Sequence, residues 1–94
     1  MQQLPDPSKK GLNNLQFYIK DNYQKTDINK AISWMSEELE ELKIGIKKGD
    51  TENIKEELAQ VFIWCISIAN IFDFKLEEIV EKEITHHIQK YPKK

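Results

Sequence analysis

The chain has 94 residues, a length typical of one domain, and a monomer of this size buries only about 60–65% of the surface of its unfolded chain. Its 14 basic residues are all lysine and face 16 acidic residues, so the net charge of −2 offers no positive field to a nucleic-acid backbone. The longest apolar run, VFIWCISIANIF, is about eight residues short of the ~20 that span a bilayer, so together with the charge we expect a soluble protein that binds neither nucleic acid nor a membrane. The single cysteine, Cys65, cannot form an internal disulfide, which favours a reducing, cytoplasmic setting.

Two helices are predicted in the first half of the chain. Residues 1–11 contain two prolines and a glycine and are predicted to be an extended lead-in to a single helical domain at residues 12–92. Helix 1 is predicted over residues 12–24, and helix 2 follows a cap at Thr26 or Asp27. The apolar positions, at steps of three and four, are Leu12, Leu15, Ile19 and Tyr23 in helix 1, and Ile28, Ile32, Met35, Leu39, Leu42 and Ile46 in helix 2.

Two further helices are predicted after a short turn. Gly49 can take the left-handed conformation that ends helix 2, and Asp50 or Thr51 can cap helix 3. The pattern breaks around Asp73, and Pro92 ends helix 4. The apolar positions are Ile54, Leu58, Val61, Cys65, Ile68 and Phe72 in helix 3, and Leu76, Val80, Ile84, His87 and Tyr91 in helix 4.

The fold class follows from these patterns. No strand pattern occurs, so the chain is predicted to be an all-α, four-helix domain in which helices 2 and 3 are antiparallel neighbours. Helix 3 is apolar nearly all round at residues 61–72, and we expect this segment to be enclosed on several sides. A second subunit is the expected cover, which predicts a dimer or a dimer of dimers.

Two similar acidic clusters lie at equal distances from the turn at Gly49. They read EELEEL at residues 37–42 and EELAQV at residues 56–61. Glu38 and Gln60 are each 11 residues from Gly49, and Glu41 and Glu57 are each 8 residues from it. An antiparallel hairpin brings these side chains to one level beside the buried face, where carboxylates repel each other unless a cation lies among them. Mg²⁺ or Mn²⁺ suits such oxygen ligands, and a solvated acidic surface is the alternative.

The runs WMSEELEELKIGIKKGD, EELAQVFIWCISIAN and FKLEEIVEKEI, followed by KYP, resemble the MazG-like all-α nucleoside triphosphate pyrophosphohydrolases over about residues 15–92. That family has EExxE and ExxD motifs on two antiparallel helices. Here Glu37, Glu38 and Glu41 fill the first motif, Glu57 begins the second, and Gln60 stands where the family has aspartate.

The resemblance implies a metal site and a reaction. Mg²⁺ is expected to bind Glu38, Glu41, Glu57 and Gln60 and to grip the triphosphate, and an activated water then releases pyrophosphate and leaves a nucleoside monophosphate. Glu37 and Glu38 are the implied catalytic residues, although Glu37 is equally consistent with a solvated carboxylate outside the site. Gln60 is a departure from the family, because a neutral amide oxygen is a weaker ligand than carboxylate for a hard cation.

Candidate contacts to the substrate come from the same resemblance. Aromatic residues in this region of the family stack on the base, whereas core packing is the other reading of the two tryptophans here. On helix 4 the family's lysine, asparagine and basic residue fall on Glu83, His87 and Lys90, and Lys82 adjoins the first. The candidate substrate-binding residues are Trp34, Trp64, Lys82, His87 and Lys90.

The expected function is Mg²⁺-dependent hydrolysis of a (deoxy)nucleoside triphosphate by a homodimer or homotetramer. Two alternatives stay open: a catalytically weakened relative that binds nucleotide or acts as a regulatory partner, and a structural helical oligomer that uses residues 61–72. His86 and His87 do not indicate a transition-metal site, because adjacent helical positions point about 100° apart.

Overall fold

The computed structural model describes residues 11–22 and 27–92, and this part of the chain contains four helices and no strand. The predicted all-α, four-helix fold is therefore confirmed. The predicted lead-in before residue 11, the helical position of Tyr23 and the cap at Thr26 lie outside the described residues. The helices are α1 (Leu12–Asn22), α2 (Ile28–Lys48), α3 (Thr51–Ile71) and α4 (Leu76–Lys90).

The turn between α2 and α3 forms as the sequence predicts. Gly49 has φ 67° and ψ 28°, in the left-handed region, and its N–H donates to the Ile46 carbonyl at 3.2 Å. The N–H of Asp50 donates to the Gly45 carbonyl at 3.0 Å, which completes a Schellman motif. Asp27 and Asp50 accept 3.1 Å hydrogen bonds from backbone N–H groups in the first turns of α2 and α3, so both act as N-caps.

Gly49→Ala is expected to lower the free energy of unfolding by about 1–2 kcal/mol, because a Cβ is strained in the left-handed conformation. The space around Gly49 is open, so the loss comes from the backbone and not from a clash. In thermal unfolding, the Tm of the variant should be lower than that of the parent by about 4–8 °C for each kcal/mol of unfolding free energy lost. Gly49→Asn is the control, since asparagine tolerates this conformation better, and equal stability of the alanine variant and the parent would contradict the prediction.

The face of α2 that packs against α3 differs from the predicted apolar stripe. Ala31 is fully buried, and Gly45 is buried so close to α3 that a Cβ there would lie 2.8 Å from the Asn53 side-chain nitrogen. Small residues at these two positions let the helices approach closely, and the buried face is therefore centred nearer to Glu38 than the apolar stripe is. The prediction that the larger neighbours lie in the core was wrong for a single chain: Ile32 is 45%, Leu39 47% and Ile46 60% exposed.

The expected enclosure of α3 is only partial within one chain. Ile66 and Ala69 are buried, whereas Phe62 is about half exposed. Leu58 and Phe72 are 57% and 53% exposed, so the prediction that they face the core was wrong for a single chain. Gln16 on α1 holds the end of this helix, because its Nε2 donates to Asn70 Oδ1 at 3.0 Å and to the carbonyl of the turn that follows α3 at 2.6 Å. The apolar segment at residues 61–72 is thus covered by α1 and α2 on some sides and open on another.

The chain turns sharply between α3 and α4. Asp73, the predicted break, has φ 58° in the left-handed region, and α4 leaves α3 at a bend of 107°. In the described part of the chain the main neighbour of α4 is α1, and most of the apolar side of α4 is exposed there. Four of its five predicted core positions are exposed, as is one in α1, which corrects those predictions; the exposed residues are Val80, Ile84, His87, Tyr91 and Leu15.

The resulting shape is open for a chain of this length. The radius of gyration is 15.3 Å, compared with about 12.4 Å expected for a compact monomer of 94 residues. Among the described helices, none is by itself long and apolar enough to cross a membrane, and α3 and α4 meet that criterion only as a bent pair. A large apolar surface therefore remains unpaired in the single chain.

Candidate metal centre

Three glutamates converge where α2 and α3 face each other. Glu38 and Glu41 come from α2 and Glu57 comes from α3, and one carboxylate oxygen of each lies within 4.8 Å of the others. Glu57 is only 4% exposed, Glu38 is half-buried and Glu41 opens to solvent. The hairpin turn at Gly49 creates this arrangement, because it pairs positions at equal distances on the two helices. The cluster thus has a buried floor and a solvent-facing rim.

The electrostatics of the cluster are unfavourable when all three carboxylates are ionised. A carboxyl hydrogen bond with Glu38, burial, and repulsion from Glu38 and Glu41 together raise the pKa of Glu57 from 4.5 to about 7. That hydrogen bond requires one of the two carboxyl groups to carry a proton. A divalent cation among these oxygens would compensate the same charge without a proton. The all-oxygen donor set suits a hard cation such as Mg²⁺ or Mn²⁺.

Gln60 lies beside the same carboxylates. With its amide nitrogen toward the cluster, Nε2 donates to both oxygens of Glu38, one of them at 3.3 Å, and to Glu57 Oε2 at 3.2 Å. With the amide turned the other way, Oε1 occupies that place and can serve as a neutral metal ligand. The structure thus brings together all four residues that were predicted to hold the ion. Their role as ligands remains a prediction.

The two tryptophans pack against each other next to this cluster. The ring centroids of Trp34 and Trp64 lie 5.1 Å apart with the ring planes at 44°. They are one helical turn from Glu38 and Gln60, at the level that the hairpin register predicts, so the register is confirmed. Trp34 remains 41% exposed, which leaves part of its ring accessible to a ligand. The pair combines helix packing with an aromatic surface at the edge of the cluster.

Other predicted site residues lie apart from the cluster. Glu37 is exposed and does not belong to the group of three converging carboxylates. Lys82, His87 and Lys90 are exposed on α4, and no hydrogen bond or ion pair found in residues 11–22 and 27–92 joins them to the cluster. His87 instead packs on Tyr91, with ring centroids 4.9 Å apart.

A model of the MazG nucleotide pyrophosphohydrolase domain matches residues 26–94. The chain belongs to this family. The match covers α2, α3 and α4, which carry every predicted site residue of the MazG domain, and it leaves out α1. No curated protein and no solved structure is significantly similar to the chain. The family assignment therefore rests on the family model together with the motif-bearing helix pair.

The sequence analysis did not single out one buried polar group on α3. Ser67 of the MazG domain is 7% exposed, and its hydroxyl has no hydrogen-bond partner in the described part of the chain. It lies seven residues after Gln60, about two helical turns further along the same side of α3. A single serine inside the apolar run VFIWCISIANIF is the signal that the sequence offers for this group.

Proposed function

We propose that this MazG domain hydrolyses a (deoxy)nucleoside triphosphate to the monophosphate and pyrophosphate in a Mg²⁺-dependent reaction. The observation that carries the proposal is the convergence of Glu38, Glu41 and Glu57 within 4.8 Å on the two helices that bear the family motifs. MazG domains typically depend on a metal ion. The identity of the ion, the substrate and the turnover are parts of the proposal.

The residues of the cluster would hold the metal ion, and other groups of the chain would contact the phosphates. Glu38, Glu41 and Glu57, with Oε1 of Gln60, would hold Mg²⁺. When bound, this ion supplies neutralisation of the phosphate charge and a lower pKa for a bound water. Because the chain has no arginine, lysine and backbone groups are its other means of contacting phosphate. The exposed rim at Glu41 leaves the site open to a triphosphate from solvent.

The remaining predicted residues are candidates for supporting roles. Glu37 is next to Glu38 in the sequence and is exposed, and it stays the candidate for orienting or deprotonating the attacking water. The exposed part of Trp34 offers a surface on which the base can stack beside Trp64. Lys82, His87 and Lys90 stay candidates for contacts to the triphosphate, although one chain alone does not bring them to the cluster.

A substrate panel tests this proposal. Purified protein in millimolar Mg²⁺ is incubated with ribo- and deoxyribonucleoside triphosphates and with base-modified nucleotides, and the products are separated by ion-exchange chromatography. The expected products are a monophosphate and pyrophosphate in equal amounts. Release of orthophosphate and a diphosphate would indicate a different bond, and an inactive result on the whole panel would contradict the proposal.

Gln60 favours a second candidate function, in which the protein binds nucleotide without turnover. A neutral ligand in place of aspartate lowers the affinity for a hard cation. Glu83 and His87 also depart from the family pattern. Calorimetry with a non-hydrolysable triphosphate and Mg²⁺ distinguishes the two. Binding without turnover supports the second candidate, whereas binding together with turnover supports the first.

We further infer that a second copy of the chain covers the exposed apolar flank of the α2–α3 hairpin. Ile32, Leu39 and Ile46 repeat at intervals of seven residues along α2, the spacing that suits packing by another long helix. Leu58 and Phe62 are exposed on α3, by 57% and 44%. The rotation of the buried face toward Glu38 leaves this flank apolar, so the acidic cluster and the proposed subunit contact belong to different sides of the hairpin.

Ile46→Lys is expected to convert the oligomer to a monomer of 11.1 kDa, because it places a charge in the proposed contact. Ile46 is 60% exposed in the single chain, so the change should not disturb the hairpin itself. Sedimentation equilibrium measures the mass. Ser33→Lys, which adds the same charge at an exposed position of α2 outside this stripe, is the matched control and should keep the parental mass. A monomeric parent protein would exclude the contact.

A further inference from the structure

Gln60 has a property that aspartate at the same position would lack: it offers hydrogen-bond donors as well as an acceptor. Two carboxylates lie within reach of one end of its amide, Glu38 with both oxygens and Glu57 with Oε2 at 3.2 Å. With the nitrogen at this end, its two N–H groups can serve both carboxylates. With the oxygen there, oxygen faces oxygen, and only a proton or a cation can then compensate the repulsion.

We propose that Gln60 replaces the ion in the metal-free protein: its amide nitrogen donates to Glu38 and Glu57, and the amide turns to present Oε1 when a divalent cation enters. The inference rests on the metal site of the proposed function, but not on turnover. Aspartate at this position would add a fourth negative charge and no donor. Glutamine in place of aspartate at position 60 therefore lowers the affinity for the ion but stabilises the metal-free site.

The burial of Glu57 explains why donors from Gln60 stabilise the metal-free fold. Glu57 is only 4% exposed, so water cannot fully solvate its charge. When the carboxylate is ionised and no cation is bound, a donor from the protein stabilises it. Hydrogen bonds from an amide to charged oxygens are stronger than those between neutral groups. Gln60 is half-buried on α3, three residues from Glu57 on the same helix, so it reaches both carboxylates without a change in the backbone.

Two variants separate the donor from the charge in thermal unfolding with EDTA at pH 8. Gln60→Met keeps the length of the side chain but removes the donors, and its Tm should fall by about 5 °C or more. Gln60→Glu adds the charge that the family's aspartate would carry, so its Tm in EDTA should fall further while its Kd for Mg²⁺ decreases about tenfold. A methionine variant as stable in EDTA as the parent would overturn the proposal.

Nuclear magnetic resonance of the parent protein tests the turn of the amide directly and does not depend on whether a variant folds. The side-chain NH₂ signals of Gln60 should shift on addition of Mg²⁺, because they lose their carboxylate acceptors. Gln16 is the internal control, since its NH₂ group is bound to Asn70 and its signals should not move. Unchanged Gln60 signals, while calorimetry shows that Mg²⁺ binds, would overturn the proposal. Both measurements can succeed in a protein that hydrolyses nothing, so failure of the proposed function is distinguishable.

Discussion

Replacing Glu57 by glutamine is expected to reduce Mg²⁺-dependent hydrolysis by about 100-fold or more and, at the same time, to stabilise the metal-free protein. The loss follows because a bound metal ion contributes several kcal/mol of charge stabilisation, and each 1.36 kcal/mol changes the rate about tenfold. The gain in stability follows because the substitution removes the buried carboxylate and with it the repulsion from Glu38 and Glu41. Opposite signs for the two effects distinguish a ligand from a residue that merely supports the fold.

The measurements are initial rates on the best substrate of the panel and thermal unfolding in EDTA at pH 8. Glu56→Gln is the matched control, because Glu56 adjoins Glu57 on α3, carries the same charge and faces solvent. It should change neither the rate nor the Tm by much. Glu38→Gln should show the same loss of activity as Glu57→Gln. Full activity in Glu57→Gln would remove Glu57 from the proposed site, and reduced stability in EDTA would contradict the electrostatic picture of the cluster.

The register of the hairpin could be predicted from the sequence because it depends on local signals. A left-handed glycine with a capping aspartate after it fixes the turn, and helical geometry then pairs residues at equal distances from Gly49. The contact between Trp34 and Trp64 is a consequence of that pairing. Positions that depend only on backbone geometry close to a strong turn signal were therefore the most reliable ones.

The rotation of α2 could not be predicted from the apolar pattern alone. Hydrophobic periodicity locates the widest apolar stripe, but the closest approach of two helices is set by the smallest side chains, here Ala31 and Gly45. These residues carry little weight in a hydrophobic pattern. Their packing leaves Ile32, Leu39 and Ile46 at the surface and brings Glu38, which the sequence predicted beside the buried face, toward α3.

The path of α4 depends on contacts that are distant in the sequence. Gln16 accepts a 3.0 Å hydrogen bond from the N–H of Leu76 through Oε1, which fixes the start of α4 beside α1. The side chain that orients α4 thus comes from a helix about 60 residues earlier. No periodic pattern in α4 contains this information, so its predicted buried side proved exposed in the single chain.

The stability of the metal-free protein should decrease as the pH rises from about 4.5 to 7. The folded-state pKa of Glu57, about 7, lies above its ordinary value of 4.5, so within this window the folded state binds more protons than the unfolded state. Below pH 4.5 the carboxyl group is protonated in both states and the stabilisation is complete; above pH 7 it is ionised in both and the stabilisation is lost. Raising the pH through this window therefore favours unfolding.

Mg²⁺ should abolish this loss by taking the place of the proton. At pH 8 an ion present at 100 times its Kd adds about 2.7 kcal/mol to the free energy of unfolding, whereas near pH 5 protons compete for the cluster and the Tm should respond little to Mg²⁺. Thermal unfolding from pH 4.5 to 8.5, in EDTA and in Mg²⁺, measures both curves. Glu57→Gln should flatten the EDTA curve and remove the response to Mg²⁺, while Glu56→Gln should keep both. If the Tm of the parent protein in EDTA rises between pH 5 and 7 instead of falling, the raised pKa of Glu57 does not dominate the pH dependence of stability.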